Sequence, residues 1–188
     1  GIRKENDLFI YAKHKKMLIA LRGNQLKYLG PDERSQALLF LKVFNRINSR
    51  KAPEKDGWIK STPGIYGRQF EHDSSFILWL KSLRLKKTTL ICEEITPMDL
   101  SFLAHVYDYP KRETIGTLEY KNNLIVLPLP SSNKSVILDF LKSLVQTFPS
   151  MMEALCMSPL KKISSASRKI LYLNFKIDQE KSISVDST

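Results

Sequence analysis

Met17-Leu18-Ile19-Ala20-Leu21-Arg22-Gly23-Asn24-Gln25-Leu26-Lys27-Tyr28-Leu29-Gly30-Pro31-Asp32-Glu33-Arg34-Ser35 runs from an unbroken apolar segment, through a polar stretch flanked by glycines, into a helix start. Proline suits the first turn of a helix, where its missing N–H costs nothing, and the carboxylates of Asp32 and Glu33 suit the positive end of the helix dipole. Leu38, Leu39, Leu41, Phe44 and Ile47 then place a broad apolar face on a helix that is expected to run to about Asn48. Upstream, Leu8-Phe9-Ile10-Tyr11 is separated from Met17 by Lys13-His14-Lys15-Lys16. Two strands joined by a basic turn are expected there.

Working outward, the stretch from Ser49 to Arg68 is polar and punctuated by Pro and Gly, and reads as a loop. Phe76, Ile77, Leu80 and Leu83 mark a second helix, and Thr88 to Cys92 a buried strand. Thr96-Pro97-Met98-Asp99 resembles a cap followed by proline at the first helical position, opening a helix to about Val106. Thr114 to Tyr120 and Leu124 to Leu127 read as strands. Asn133 caps a helix with Val136, Ile137, Phe140, Leu141, Leu144 and Val145 on one face. Strands alternating with helices argue for a mainly parallel α/β sheet. From Ser158 the chain turns Ser- and Lys-rich around one apolar run, Leu171 to Phe175, so residues 1–157 are expected as one domain and 158–188 as a basic extension.

Composition narrows the classes. The 188 residues are 43% hydrophobic, enough for a core, yet contain no uninterrupted apolar run long enough to span a bilayer. Cys92 and Cys156 lie in apolar company without a CxxC pair, so neither a disulfide framework nor a metal site is expected. The start of the sequence lacks the apolar centre of a secretory signal, and a cytoplasmic location, or alternatively the mitochondrial matrix, is expected. Thirty Lys plus Arg against 19 Asp plus Glu gives a net charge of +11. Such an excess favours a polyanionic partner, most often nucleic acid, over a membrane surface.

Two segments carry a family resemblance. Gly23 to Ser35, ending in Pro31-Asp32-Glu33-Arg34-Ser35, and Gly57-Trp58-Ile59-Lys60-Ser61-Thr62-Pro63-Gly64-Ile65-Tyr66 together resemble archaeal enzymes that methylate N1 of a pseudouridine in the tRNA T-loop. Gly1-Ile2-Arg3-Lys4 is similar to the family segment that follows its first helix, and Ile115-Gly116-Thr117-Leu118 to its second cofactor loop. The resemblance implies a SPOUT fold: a parallel sheet with helices on both faces, a C-terminal trefoil knot holding S-adenosylmethionine, and a homodimer. Because the position matching the end of the family's first helix falls at Gly1, a fold without the usual first strand and helix is expected. An exposed sheet edge is usually covered, so a homodimer or a larger protein or ribonucleoprotein partner is expected. A second departure is Cys92-Glu93-Glu94-Ile95-Thr96-Pro97, where the family carries glycines that let the backbone approach the adenosyl group.

By resemblance, Cys92, Glu93, Gly116, Thr117, Leu118 and Leu127 would line the cofactor site, and Asp32 would accept or orient the N1 proton. The plainer reading of Asp32 is a helix-terminal carboxylate. Arg22, Arg34 and Arg68 are candidates for phosphate, whose geometry matches a guanidinium fork, and equally for surface ion pairs. Tyr66 suits stacking on a base or lidding the core. Lys13, Lys15 and Lys16, with Lys161 and Lys162 in the extension, suit RNA electrostatics or simple solvation. His105 reads as a core histidine. Two functions follow: a methyltransferase acting on tRNA or rRNA pseudouridine, or a non-catalytic descendant that binds RNA or a ribosomal particle.

Overall fold

Four lysine-rich residues between two apolar runs leave room only for a hairpin, because a parallel return needs a crossover of about a dozen residues or more. β1 (Asp7–Ala12) and β2 (Met17–Arg22) pair antiparallel, from Ala12 opposite Met17 to Asp7 opposite Arg22. The connection is a short 3-10 turn, Lys13–Lys15, closed by Lys16 in the left-handed region at φ 50°. Its N–H donates to the Lys13 carbonyl at 3.0 Å, and its ammonium to the Glu71 carbonyl at 2.9 Å. In this computed structural model the described residues are 4, 6–27, 33–49, 55–83, 87–91, 123–126, 134–147, 152–155, 163, 165 and 167–175. By its contacts the chain divides into two compact units, Gly1–Phe76 and Ile77–Thr188.

The first unit is a four-stranded antiparallel sheet in the order β1-β2-β4-β3. This corrects the expectation of a loop from Ser49 to Arg68, which contains β3 (Ile59–Thr62) and β4 (Ile65–Gln69). Pro63-Gly64 joins them, with Gly64 at φ +81°, the backbone that a Pro-Gly turn requires of its second residue. The register shifts between Lys60 and Thr62, a bulge that reconciles this turn with the twist of the strands. Pro and Gly here bend a hairpin rather than interrupt order. A mainly parallel sheet is therefore also corrected for this unit, where every pairing among the described residues is antiparallel.

The unbroken apolar run of β2 follows from its central place, with both faces covered. Met17, Ile19 and Leu21 point to one face, where they meet Val43 and Ile47 of α1 (Glu33–Asn48) and Ile65 of β4. Gly67 lies beneath that helix, and a Cβ there would come within 2.5 Å of Val43 Cγ1 and 2.7 Å of Ile47 Cδ1. The helix stripe differs from the expected one. Leu39, Phe40, Val43, Phe44 and Ile47 face the core, whereas Leu38 and Leu41 are 58% and 53% exposed. The alternation of the strand puts Leu18 and Ala20 on the other face, and both are fully buried there.

α2 (Asp73–Ser82) ends the first unit and opens the second, with Phe76, Ile77 and Leu80 buried. In the second unit β5 (Lys87–Ile91) lies between β6 (Asn123–Val126) and β7 (Met152–Leu155), parallel to both. The expected strands at Thr88 and Leu124 are present within one or two residues, while β7 falls where no strand was expected. α3 (Lys134–Thr147) forms on the pattern that begins at Asn133, and Leu144 is fully buried. A fourth helix, α4, covers residues 167–175. The Ser165 hydroxyl accepts the Arg168 N–H at 3.3 Å, satisfying one of the donors that a helix start leaves without a partner. Leu173 of α4 is buried, so the apolar run at Leu171 is helical and contributes a core residue. The expected helix from Pro97 to Val106 and strand from Thr114 to Tyr120 lie outside the described residues. The knot expected from the resemblance is not shown by the described residues.

Candidate nucleic-acid interface

The start of the first segment that carries the resemblance, Gly23 to Leu26, meets Gly64 to Tyr66 of the second at one end of the first sheet. After β2 the chain turns sharply, and the N–H groups of Gln25 and Leu26 both donate to the Arg22 carbonyl at 3.0 Å. The Gly23 N–H donates to Asp7 Oδ1 at 3.1 Å, and the Arg22 N–H to the Gly64 carbonyl at 2.8 Å. Gly64 sits so close that a Cβ would lie 2.6–2.7 Å from the backbone of Gln25 and Leu26. The Tyr66 hydroxyl donates to Gln25 Oε1 at 2.7 Å and ties the second segment to the first.

On the sheet face opposite α1, strand register assembles a row of long side chains. Phe9, Ala20, Tyr66 and Lys60 lie in register across the four strands, and Tyr11, Leu18 and Arg68 across three. Ala20 is small, and the space above it is taken by its longer neighbours. Arg22 lies over the rings of Phe9 and Trp58, at 5.1 and 5.6 Å from their centroids. Arg68 lies over Trp58 and Phe70, at 6.0 and 4.9 Å. The result is an alternating ladder, Phe9–Arg22–Trp58–Arg68–Phe70. Each ring–guanidinium contact contributes about 0.5–1 kcal/mol where solvent reaches it. Tyr66 meets Trp58 edge to face at 6.4 Å and 80°. All but Phe70 are half-buried, so the ladder covers the core and still presents polar edges to solvent.

The two arginines differ in their charge partners. Arg22 forms an ion pair with Asp7. Arg68 has no carboxylate partner among the described residues. Lys60 is exposed on the same face, and the basic turn lies at the Arg68 end, where Phe70 N–H donates to the Lys16 carbonyl at 2.9 Å.

Beyond Arg68 the face is closed by an aromatic cluster. Tyr11 stacks on Phe76 at 3.9 Å and 8°, and Phe70 meets Phe76 edge to face at 5.4 Å. The Tyr11 hydroxyl donates to Asp73 Oδ1 at 2.5 Å, and Lys13 lies 3.7 Å from the same carboxylate. Burial, then the hydrogen bond to Asp73 and its charge, push the Tyr11 phenol well above its ordinary range. Tyr11 is therefore a neutral donor that anchors α2 to the sheet.

Of the residues singled out from sequence, Arg22, Tyr66 and Arg68 come together on this face. Arg34 does not join them: it is exposed in the first turn of α1, over the opposite face. Asp32, Cys92, Glu93, His105, Gly116, Thr117, Leu118, Leu127, Lys161 and Lys162 lie outside the described residues. Trp58, Phe9, Phe70 and Lys60 were not singled out, and the alternation of β3 and β4 is the signal that would have found Lys60. No three His, Cys, Asp or Glu side chains among the described residues are grouped to hold a metal, and no helix among them is long and apolar enough to cross a membrane. No protein-family model matches the chain, and no curated protein matches it.

Proposed function

We propose that this chain is an RNA-binding protein of the SPOUT methyltransferase class, with the ladder face of its first sheet as part of the RNA surface. The observation that carries the reading is the gathering of Arg22, Arg68, Tyr66, Trp58 and Lys60 on one face of a chain with net charge +11. Guanidinium and aromatic groups together serve both phosphate and base. The hydrogen bonds that join the turn at Gly23 to Leu26 with Gly64 and Tyr66 support the kinship, since they bring the beginning of one part of the resemblance against the end of the other. Titration of a labelled tRNA T-arm transcript at low and moderate salt tests the reading. Binding that weakens as salt rises supports it, and no binding at low salt ends it.

Within that class, the active form is an S-adenosylmethionine-dependent methyltransferase acting on tRNA or rRNA pseudouridine, working as a homodimer. The parallel β6-β5-β7 sheet supports this form, because a parallel sheet is what the class requires around its knot. Bound S-adenosylmethionine would supply the methyl group, and Asp32 would receive or orient the N1 proton. The alternative is a non-catalytic descendant that binds RNA or joins a ribosomal particle. It is favoured by Cys92 to Pro97, a segment without glycine where the family needs close backbone approach. Calorimetry with S-adenosylmethionine on folded protein separates the two: saturable heat supports the enzyme, and none at millimolar ligand supports the descendant.

A further inference from the structure

Arg68 combines features that a structural arginine seldom does. It is half-buried, its guanidinium is held between the rings of Trp58 and Phe70, and no carboxylate pairs with it among the described residues. A guanidinium held by its faces keeps its in-plane N–H donors available, and its side-chain entropy is largely spent before any ligand arrives. Arg22, one step along the ladder, is held in the same way but already donates to Asp7. Of these two guanidiniums, Arg22 has a carboxylate partner and Arg68 has none among the described residues.

The surroundings specify the anion further. Trp58 and Tyr66 stand at 80° to one another beside Arg68, and the Tyr66 ring is fixed by its bond to Gln25. Aromatic rings beside a phosphate donor suit a base attached to that phosphate. Bases inside a duplex are stacked on one another and cannot reach a flat sheet face, whereas unpaired bases splay onto such rings. Resting on the RNA-binding reading above, we propose that this face is a single-stranded RNA site, in which Arg68 takes a backbone phosphate and Tyr66, edge to face with Trp58, stacks an adjoining unpaired base.

The chain has two tryptophans, so W79F leaves Trp58 as the sole indole emitter. Full-length W79F protein is titrated with a short single-stranded oligouridylate and with an RNA duplex of equal length, following tryptophan emission and, separately, the anisotropy of labelled RNA. The single strand should quench Trp58 saturably, and the duplex should bind about ten-fold more weakly without quenching. R68Q and Y66L should each weaken the single strand about ten-fold, with far-UV circular dichroism unchanged. Single-strand binding without any change in Trp58 emission would overturn the proposal, as would equal behaviour of the duplex. Duplex binding alone, with salt dependence, would leave the RNA-binding reading in place and remove this site. Binding of neither RNA would end both.

Discussion

The two sheets are built by opposite routes. In the first, each outer strand returns through a tight connection: the basic turn of Lys13 to Lys16 from β1 to β2, and Pro63-Gly64 from β3 to β4. Register is then set locally, by turn geometry and by which face each residue must take. In the second, β5, β6 and β7 are parallel and distant in sequence, so no turn fixes their register and pairing depends on the packing around them. The first sheet should therefore fail at its turns, and the second at its buried helix contacts.

The largest expected effect lies in the Pro63-Gly64 turn. Gly64→Ala imposes a side chain on a left-handed backbone and drives its Cβ into Gln25 and Leu26. It should cost about 4 kcal/mol and speed amide exchange in β2 and β4. Faster exchange confined to β5 to β7 would break the comparison. In the second unit, Leu173→Ala empties a buried position on α4 and should cost about 3 kcal/mol, read as faster exchange along that helix. An effect under about half that size would mean the apolar run at Leu171 contributes little to the core.

Smaller effects test how the ladder face is closed. Tyr11→Phe removes the bond to Asp73 and should cost about 1 kcal/mol. Because the native phenol is raised above its ordinary value of 10.0, folding favours its protonated form. Its contribution is complete below that value and is lost as pH rises towards the elevated native one. Denaturation midpoints across alkaline pH should fall less steeply in Tyr11→Phe than in the native chain, and parallel curves would refute the assignment. The smallest effect is at Ser61, whose hydroxyl is buried without a hydrogen-bond partner among the described residues. Ser61→Ala should be neutral or stabilising, within about 1 kcal/mol.

How much of this was legible in sequence follows the same division. The β1–β2 hairpin, α1, α2, α3 and the strands at Thr88 and Leu124 were readable, because period and short connections suffice for them. The β3–β4 hairpin is not, since Pro63 and Gly64 signal a loop as readily as a tight turn, and the strands beside them are only 4 and 5 residues long. The outer face of α1 was misassigned because leucine is common on both sides of that helix: Leu38 and Leu41 match the count of an apolar stripe without belonging to it. At the candidate site, Arg22, Arg68 and Tyr66 were found by chemistry and motif, but their association was not. It depends on cross-strand register, which places Trp58 between two arginines drawn from different strands. No pattern within either strand contains that information.

The most direct test of the ladder face as an RNA surface is the salt dependence of tRNA affinity for the native chain and for Arg68→Gln, measured side by side. For the native chain, the logarithm of the affinity should fall linearly with the logarithm of salt concentration, reflecting several neutralised phosphates. Arg68→Gln should reduce that slope by about one phosphate contact and weaken binding at low salt, while the loss of two ring contacts lowers the melting temperature by only a few degrees. An identical slope and affinity in the two proteins would place the RNA elsewhere and contradict the account.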